Sequence, residues 1–458
     1  MTSTNNVIEA MTRRGTLSGV FGAYLYAAFL VAGPWILTVL GLFSLNTVSC
    51  DGYCTELTIF RSIVIYNSMY ALVIASPLAF ASGRYASEQL YRGRDSNIFY
   101  ALVTSLGIFV SIGVVSVVPY YFYATTLDRT TALASIYNAM LIGCSWLLIP
   151  FLGAIRAYNS VIIAFGAGTV VMFTLSNFLY DPPAASFLLV FDSSFAITNF
   201  ILLATIVRRC GGTIIADPEL MTRVAKKWEL PAAGAAYALG LWIDKVIVWH
   251  ADPSGGLLVA GALQTMPSYD AAMFWAQLSS IPIVAVFFVH VETRFSTSIR
   301  EYHERLERRA TLRELNEIAG NIGTHVLSSM FGLFAALVIV AAMMIMLSFD
   351  FMTGFGLRPS YMGIFRVSLS SMAFYTSAMF CFSFLLHLDL RRPALLFVLT
   401  FLVLNGALTV ALLPLGPDFY GYGNMISATV TLLLGFYLVL RELSWLHYHA
   451  FITNNPCV

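Results

Sequence analysis

Twelve apolar segments, each long enough to cross a bilayer, occupy most of this 458-residue chain. A helix needs roughly 20 apolar residues to span the hydrocarbon layer, and only helices and closed barrels satisfy their backbone there. Since 59% of the residues are hydrophobic and 11% are charged, one soluble core could not bury this chain. The sequence therefore predicts an all-α polytopic membrane protein, with spans near 17–44, 58–81, 98–122, 131–154, 158–180, 183–207, 231–251, 268–291, 325–348, 364–387, 394–414 and 420–440.

The basic residues predict the orientation of these spans. Twenty of the 25 lysines and arginines fall before the first span or in the loops after the even-numbered spans. Because cytoplasmic loops carry the excess of Lys and Arg, both termini are expected in the cytoplasm.

The chain is expected to consist of two six-helix halves. Residues 1–207 form the first half, the basic segment 208–230 is a cytoplasmic linker, and residues 231–458 form the second half. Short matches between the first and seventh spans, and after the second and eighth, favour a repeat. Repeated halves are common in transporters, with the substrate path between them. Within the second half, the charge-rich segment 292–320 is expected to be an amphipathic helix on the cytoplasmic surface of the bilayer.

Several functional classes lack their sequence signatures. The chain has no GxxxxGK[ST] phosphate-binding loop, no HExxH pair and no CxxC pair. Its net charge of +1 gives no bias towards nucleic acid. We therefore expect no enzyme activity, no cofactor and no metal site.

An acid and a base stand side by side inside the seventh span, as Asp244 and Lys245. Ionised groups inside a membrane normally face a partner or water, and they often mark a substrate pathway. Trp242, Lys245 and Trp249 share one helix face, while Asp244 points about 100° away. One interpretation is a polar path lined by indole rings, which can stack on sugars. The alternative is a structural ion pair, with Trp249 as an interfacial anchor.

Other side chains extend this candidate path. An outward-facing polar vestibule would include Arg61, Asp192, Asp270 and Arg366, although arginines at span ends can also simply reach the headgroups. Glu292 follows the eighth span. Tyr24 and Trp35 lie on one stripe of the first span, as an aromatic wall of the path or as ordinary helix packing. Cys50 and Cys54 share the first outer loop and are candidates for a structural disulfide.

These motifs resemble the PelG family, the inner-membrane transporter of the Pel exopolysaccharide system, within the superfamily of multidrug (MATE), oligosaccharidyl-lipid and polysaccharide flippases. The resemblance runs through Gly33-Pro34-Trp35, Trp242-Ile243-Asp244-Lys245, Tyr269-Asp270, Ile281-Pro282, Glu292-Thr293-x-Phe295 and Tyr420-Gly421-Tyr422-Gly423.

The resemblance implies a MATE-like fold and export of a growing polysaccharide, rich in N-acetylated and free amino sugars, across the bacterial inner membrane. It also implies a cytoplasmic glycosyltransferase and further membrane subunits as partners. Two alternatives stay open: a cation-coupled antiporter of small cationic compounds that uses Asp244 or Asp192, and a membrane scaffold for a polysaccharide synthase complex.

Overall fold

A computed structural model describes residues 36–45, 48, 55–211, 217–251, 256–308, 311–354 and 361–445. Within these residues, ten helices are long and apolar enough to cross a membrane. They correspond to the second to seventh and the ninth to twelfth predicted spans. The eighth predicted span lies inside a longer helix, and only residues 36–45 of the first are described. The prediction of a multi-pass helical membrane protein is confirmed.

The helices separate into two compact units, one of which comprises Gly33–Pro267. Its helices are α1 (Ile36–Leu45), α2 (Thr55–Tyr91), α3 (Asp95–Pro119), α4 (Arg129–Ala154), α5 (Tyr158–Ser176), α6 (Ala184–Cys210), α7 (Pro218–Lys226) and α8 (Glu229–Ala251). Helix α2 is central, because it packs against α3, α4 and α8. The core of this unit consists of aromatic and branched apolar side chains on these helices.

A close approach of two backbones brings α8 against α2. A Cβ atom at Gly234 would lie 2.6 Å from the carbonyl oxygen of Ser76, next to Pro77 within α2. A side chain at position 234 would therefore separate the two helices. This contact fixes the position of the helix that carries Asp244 and Lys245.

A β-hairpin follows α8, which the sequence reading did not predict. Strands β1 (Leu257–Ala260) and β2 (Leu263–Thr265) pair antiparallel. Gly261 lies in the turn between the two strands and has a φ of +60°, a value that favours glycine. A Cβ atom at this position would also lie only 2.7 Å from the Ala124 carbonyl oxygen. The backbone N–H of Ala262 donates to that same oxygen at 2.8 Å. The hairpin is thus held against the end of the π-helical turn Tyr120–Ala124, which follows α3.

Side-chain contacts attach the linker helix α7 to the end of α2. The Tyr85 hydroxyl donates to Asp217 at 2.7 Å, and Asp217 also caps the N-terminus of α7. Arg223 pairs with Glu88 and, at 2.7 Å, with Glu219, and its guanidinium lies 5.4 Å from the centre of the Tyr85 ring. The hydrogen bond to Glu88 raises the pKa of Arg223 above its ordinary value. Part of the predicted linker is therefore packed as a helix on the first unit.

The other unit is described from Ser268 onwards. Its helices are α9 (Pro267–Glu307), α10 (Leu312–Met346), α11 (Ser348–Gly354), α12 (Met362–His387), α13 (Arg391–Leu412) and α14 (Tyr422–Ser444), with short 3₁₀ turns at Leu413–Leu415 and Pro417–Phe419. Helix α12 packs against α10 and α14, and α13 packs against α14. Gly435 permits close packing there, since a Cβ at this position would meet Cys381 and Phe397 at 2.8 Å.

Two features bear on the expected organisation of the chain, which stays a prediction. Within the segment 292–320, the first part continues α9 and the last part begins α10. Thr311 and Glu314 form a capping box that starts α10, while nothing breaks α9 before Glu307. The compact units also divide near 267 rather than at 207–231, because α8 packs against α2. The sequence repeat itself stays a prediction.

Candidate functional site

Lys245 lies over the ring of Trp242 on one face of α8. Its ammonium is 5.5 Å from the ring centre, a cation–π distance, and it donates to the Leu241 carbonyl at 3.0 Å. The side chain is 15% exposed, and Trp242 is also partly buried. The predicted common face of Trp242, Lys245 and Trp249 is present, because all three belong to one continuous helix.

Asp244, in contrast, is completely buried. One of its carboxylate oxygens lies 3.5 Å from the Lys245 ammonium. A residue one position away on a helix points to another side, so Asp244 does not share the partly exposed face of Lys245. Its place in the substrate path stays a prediction. Val248, one turn further on, is also buried. Asp244 therefore lies beside Lys245 and away from the partly exposed part of this helix face.

A run of aromatic rings extends from Trp242 through the first unit, which we call the aromatic ladder: Trp242, Trp249, Tyr66, Tyr120 and Tyr70. Trp249 stacks on Tyr66 with ring centres 4.8 Å apart, and Trp242 lies 6.3 Å from Trp249. Tyr120 lies 6.0 Å from Tyr66 and 5.2 Å from Tyr70. Trp249 and Tyr66 are buried, so they hold the ladder together, while Trp242, Tyr70 and Tyr120 are partly exposed.

The β-hairpin fixes one end of this ladder. The Tyr66 hydroxyl donates to the Gln264 carbonyl at 2.7 Å and accepts from the Gln264 N–H at 3.2 Å. Tyr120 contacts the hairpin through a 3.4 Å bond to the Ala262 carbonyl. These hydrogen bonds to the hairpin backbone therefore fix the positions of the Tyr66 and Tyr120 rings. Trp249 is an internal support, and its interpretation as an interfacial anchor is not supported by its burial.

Asp192 belongs to a separate, buried polar chain on α2, α4, α6 and the π-helical turn. Asn138 donates to Asp192 at 2.6 Å, Asn67 donates to Asn138 at 2.8 Å, and Tyr121 donates to Asn67 at 2.6 Å. All four residues are at most 1% exposed. The second carboxylate oxygen of Asp192 has no partner among the described residues. Sequence reasoning missed the two asparagines, although amides inside apolar spans are themselves a signal.

The remaining predicted site residues are distributed over both units. Arg61 is exposed at the start of α2. In the other unit, Asp270 is partly buried in the first turn of α9, and the exposed Arg366 donates to the Ser348 hydroxyl at 2.9 Å. Glu292 belongs to α9, but its side chain lies outside the described part, as do Tyr24, Trp35, Cys50 and Cys54. The predicted vestibule and disulfide therefore stay predictions. Among the described residues, no cluster of His, Cys, Asp and Glu is suited to a metal ion.

Solved structures similar to this chain are transporters. One is the outward-facing conformation of a multidrug resistance MATE family transporter of the MOP superfamily, at 13% identity, TM-score 0.61 and 92% and 96% coverage of the two chains. Its inward-facing conformation matches with TM-score 0.59, again at 13% identity and with the same coverage.

A MOP superfamily transporter from Pyrococcus furiosus, whose binding pocket has reverse polarity according to its description, matches with TM-score 0.56, 13% identity and 92% and 96% coverage. At this identity, these similarities establish the fold alone. A comparison with curated proteins finds no match.

The family comparison concerns nearly the whole chain. The sequence model of PelG, described as "Putative exopolysaccharide Exporter (EPS-E)", matches residues 7–451. This range includes every described residue of both units. The fold of a MOP superfamily transporter and this match agree with the resemblance seen in the motifs, and the chain belongs to the PelG family of exopolysaccharide exporters.

Proposed function

We propose that this chain exports a growing amino-sugar polysaccharide across the bacterial inner membrane, along the partly exposed face of α8 that carries Trp242 and Lys245. One observation carries the proposal: a lysine inside a span is held over an indole ring at the end of the aromatic ladder. An ionised group at this depth costs about 2.5–3.5 kcal/mol on insertion scales, so it needs a compensating role. Ring faces and a hydrogen-bond donor together suit a sugar chain.

The proposal includes the setting of the transporter. Both termini lie in the cytoplasm, following the distribution of basic loops, and a cytoplasmic glycosyltransferase delivers the polymer with other membrane subunits. Asp244 serves as a buried support for Lys245. We expect Asp244→Asn to lower secretion by weakening that support, while the protein still inserts.

Deletion of the chain in a host with an active glycosyltransferase tests the proposal. Polymer should accumulate inside the cells, and the native chain should restore secretion. We expect Trp242→Ala to restore less secretion than Trp228→Ala, a control at a tryptophan that is 59% exposed on the linker. Undiminished secretion without the chain would refute the export function. Equal secretion by the two variants at equal abundance would remove Trp242 from the path.

A cation-coupled antiporter is the second candidate, and Asp192 favours it. This carboxylate is 1% exposed, and one oxygen has no partner among the described residues, so a bound cation or proton would complete it. Overexpression of the chain in cells that lack the glycosyltransferase separates the two functions. Resistance to cationic compounds under this condition, lost in Asp192→Asn, would favour the antiporter.

A further inference from the structure

One exposed side of the membrane-spanning helix α6 ends in arginines. Its exposed apolar side chains Phe200, Leu203 and Val207 share one helix face, because they follow i, i+3, i+7 spacing. Exposed apolar side chains on a spanning helix suit the acyl chains of the bilayer. Arg208 and Arg209 follow this stripe directly and are also exposed. Since long basic side chains at helix ends reach the headgroups, the change from apolar to basic places the headgroup layer at the last turn of α6.

The linker helix α7 begins near this same level. The backbone N–H of Asp217, its N-cap, donates to the Thr104 hydroxyl of α3 at 2.7 Å. Thr104 lies inside the span predicted from residue 98, about 9 Å of helical rise past its start. Leu220 of α7 is buried in the same apolar cluster as Ile206, which directly precedes the end of the α6 stripe. The linker helix therefore lies at the boundary of the hydrocarbon layer.

The exposed charges of this region are basic. The two acids at the start of α7 both have partners, one through the Tyr85 hydroxyl and the other through an ion pair. Lys226, in contrast, is exposed and forms no ion pair within the described residues, and the same holds for Arg208. Met221 and, just after the helix, Trp228 are exposed beside them. Outward basic and apolar side chains with a neighbouring tryptophan are typical of a helix at a membrane surface.

We infer that Lys226 and Arg208 bind the headgroups of anionic phospholipids, so that α7 is a lipid-binding helix. The inference goes beyond the proposed export function and does not depend on the transported substrate. An anionic headgroup supplies the ionic partner that both side chains lack, and one basic residue at a membrane surface favours anionic over neutral lipid by about fivefold. An acidic protein segment would also pair with these charges, but the apolar stripe that ends at Arg208 favours a lipid.

Fluorescence quenching in lipid nanodiscs tests this inference on the purified full chain. The discs contain equal amounts of phosphatidylglycerol and phosphatidylcholine, and only one of the two lipids carries bromine, near the headgroup end of its acyl chains. Trp228 is one of seven tryptophans, so its signal is the difference between the native chain and Trp228→Phe. We expect stronger quenching by brominated phosphatidylglycerol, equivalent to at least about fivefold local enrichment. Equal quenching by the two lipids would overturn the anionic preference, and quenching by neither would overturn lipid contact.

Charge variants assign the preference to the two basic residues. Arg208→Gln/Lys226→Gln should reduce the enrichment to less than about twofold, whereas Arg208→Lys/Lys226→Arg should keep it, because charge attracts the headgroup. Arg129→Gln is the matched control, since Arg129 is an exposed basic residue at the start of α4, which follows the far end of α3. It should keep the native enrichment. Enrichment that persists in the neutral pair, or is lost in the charge-keeping pair, would overturn the role of these charges.

The salt dependence separates attraction by charge from packing against the acyl chains. Enrichment of phosphatidylglycerol should fall when the salt concentration rises from about 0.05 M to about 0.5 M, because the Debye length becomes shorter. Enrichment that does not change with salt would contradict an electrostatic site. Neither measurement involves secretion, so failure of the lipid site leaves the export function standing, and failure of export leaves the lipid site standing.

Discussion

Replacement of Trp249 by alanine should destabilise the first unit because this indole is a buried support of the aromatic ladder. Trp249 is 1% exposed and stacks on Tyr66 at 4.8 Å. Removal of a buried tryptophan costs about 3–5 kcal/mol in soluble cores, and an aromatic pair contributes about 0.5–1.5 kcal/mol beyond its area. In a bilayer the unfolded helices still lie in lipid, so lost packing dominates and we expect about 3 kcal/mol.

The measurement is SDS-induced unfolding of the purified chain in mixed micelles. Trp249→Ala should shift the midpoint to lower SDS, and Trp249→Phe should recover part of the loss because it retains a ring. Trp228→Ala is the control, since this residue is 59% exposed and its loss should change stability by no more than about 0.5 kcal/mol. If Trp249→Ala is no more destabilising than the control, the ladder does not support the unit as described.

Three further predictions concern other contacts of the first unit. Asn138→Leu should cost about 1–3 kcal/mol in the same titration, because the buried Asp192 loses its hydrogen-bond donor; Asn138→Leu/Asp192→Leu should recover stability, and simple additivity of the two single changes would contradict the buried chain. Arg223→Ala should speed tryptic cleavage of the linker more than Arg92→Ala, as the pairs with α2 are lost; equal rates would refute this attachment. Asp128→Ala should remove an N-cap of α4 at a cost of about 1 kcal/mol. Hydrogen bonds from Thr130 and Thr131 lower the pKa of Asp128 to about 2, so its contribution is complete above the unfolded pKa and disappears as the pH falls towards 2. An unchanged difference between the native chain and the variant at pH 2 and pH 6 would exclude the charged cap.

The membrane-spanning helices were predictable because lipid forces long apolar segments into one conformation. The ten spans among the described residues agree with their predicted positions within several residues at most ends. The largest differences arise where helices continue beyond the predicted apolar span, as α2 does to Tyr91. Hydropathy indicates where a helix meets water, but a helix ends only where its backbone is capped or broken.

Burial inside the helix bundle was not predictable from one helix at a time. Periodicity correctly separated Asp244 from Lys245 by about 100°, yet it could not indicate which of the two faces the neighbouring helices. The close approach of Gly234 to Ser76 decides this, because it packs one side of α8 against α2. The sequence of α8 alone does not reveal that contact. The capping box at Thr311 was readable from the sequence, as a Thr followed three residues later by Glu. The β-hairpin depends on contacts with residues more than 100 positions away, which no local pattern contains.

The length of α9 has a mechanical consequence. Its 41 residues rise about 60 Å, whereas the hydrocarbon layer is about 30 Å thick, so roughly half of this rod stands clear of the membrane. A tilt of about 10° at the bilayer would displace the far end of a projecting arm about 30 Å long by about 5 Å, one helical pitch. A protein bound to this projecting arm of α9 would therefore be displaced by a small tilt of the portion inside the bilayer, and could in turn impose such a tilt.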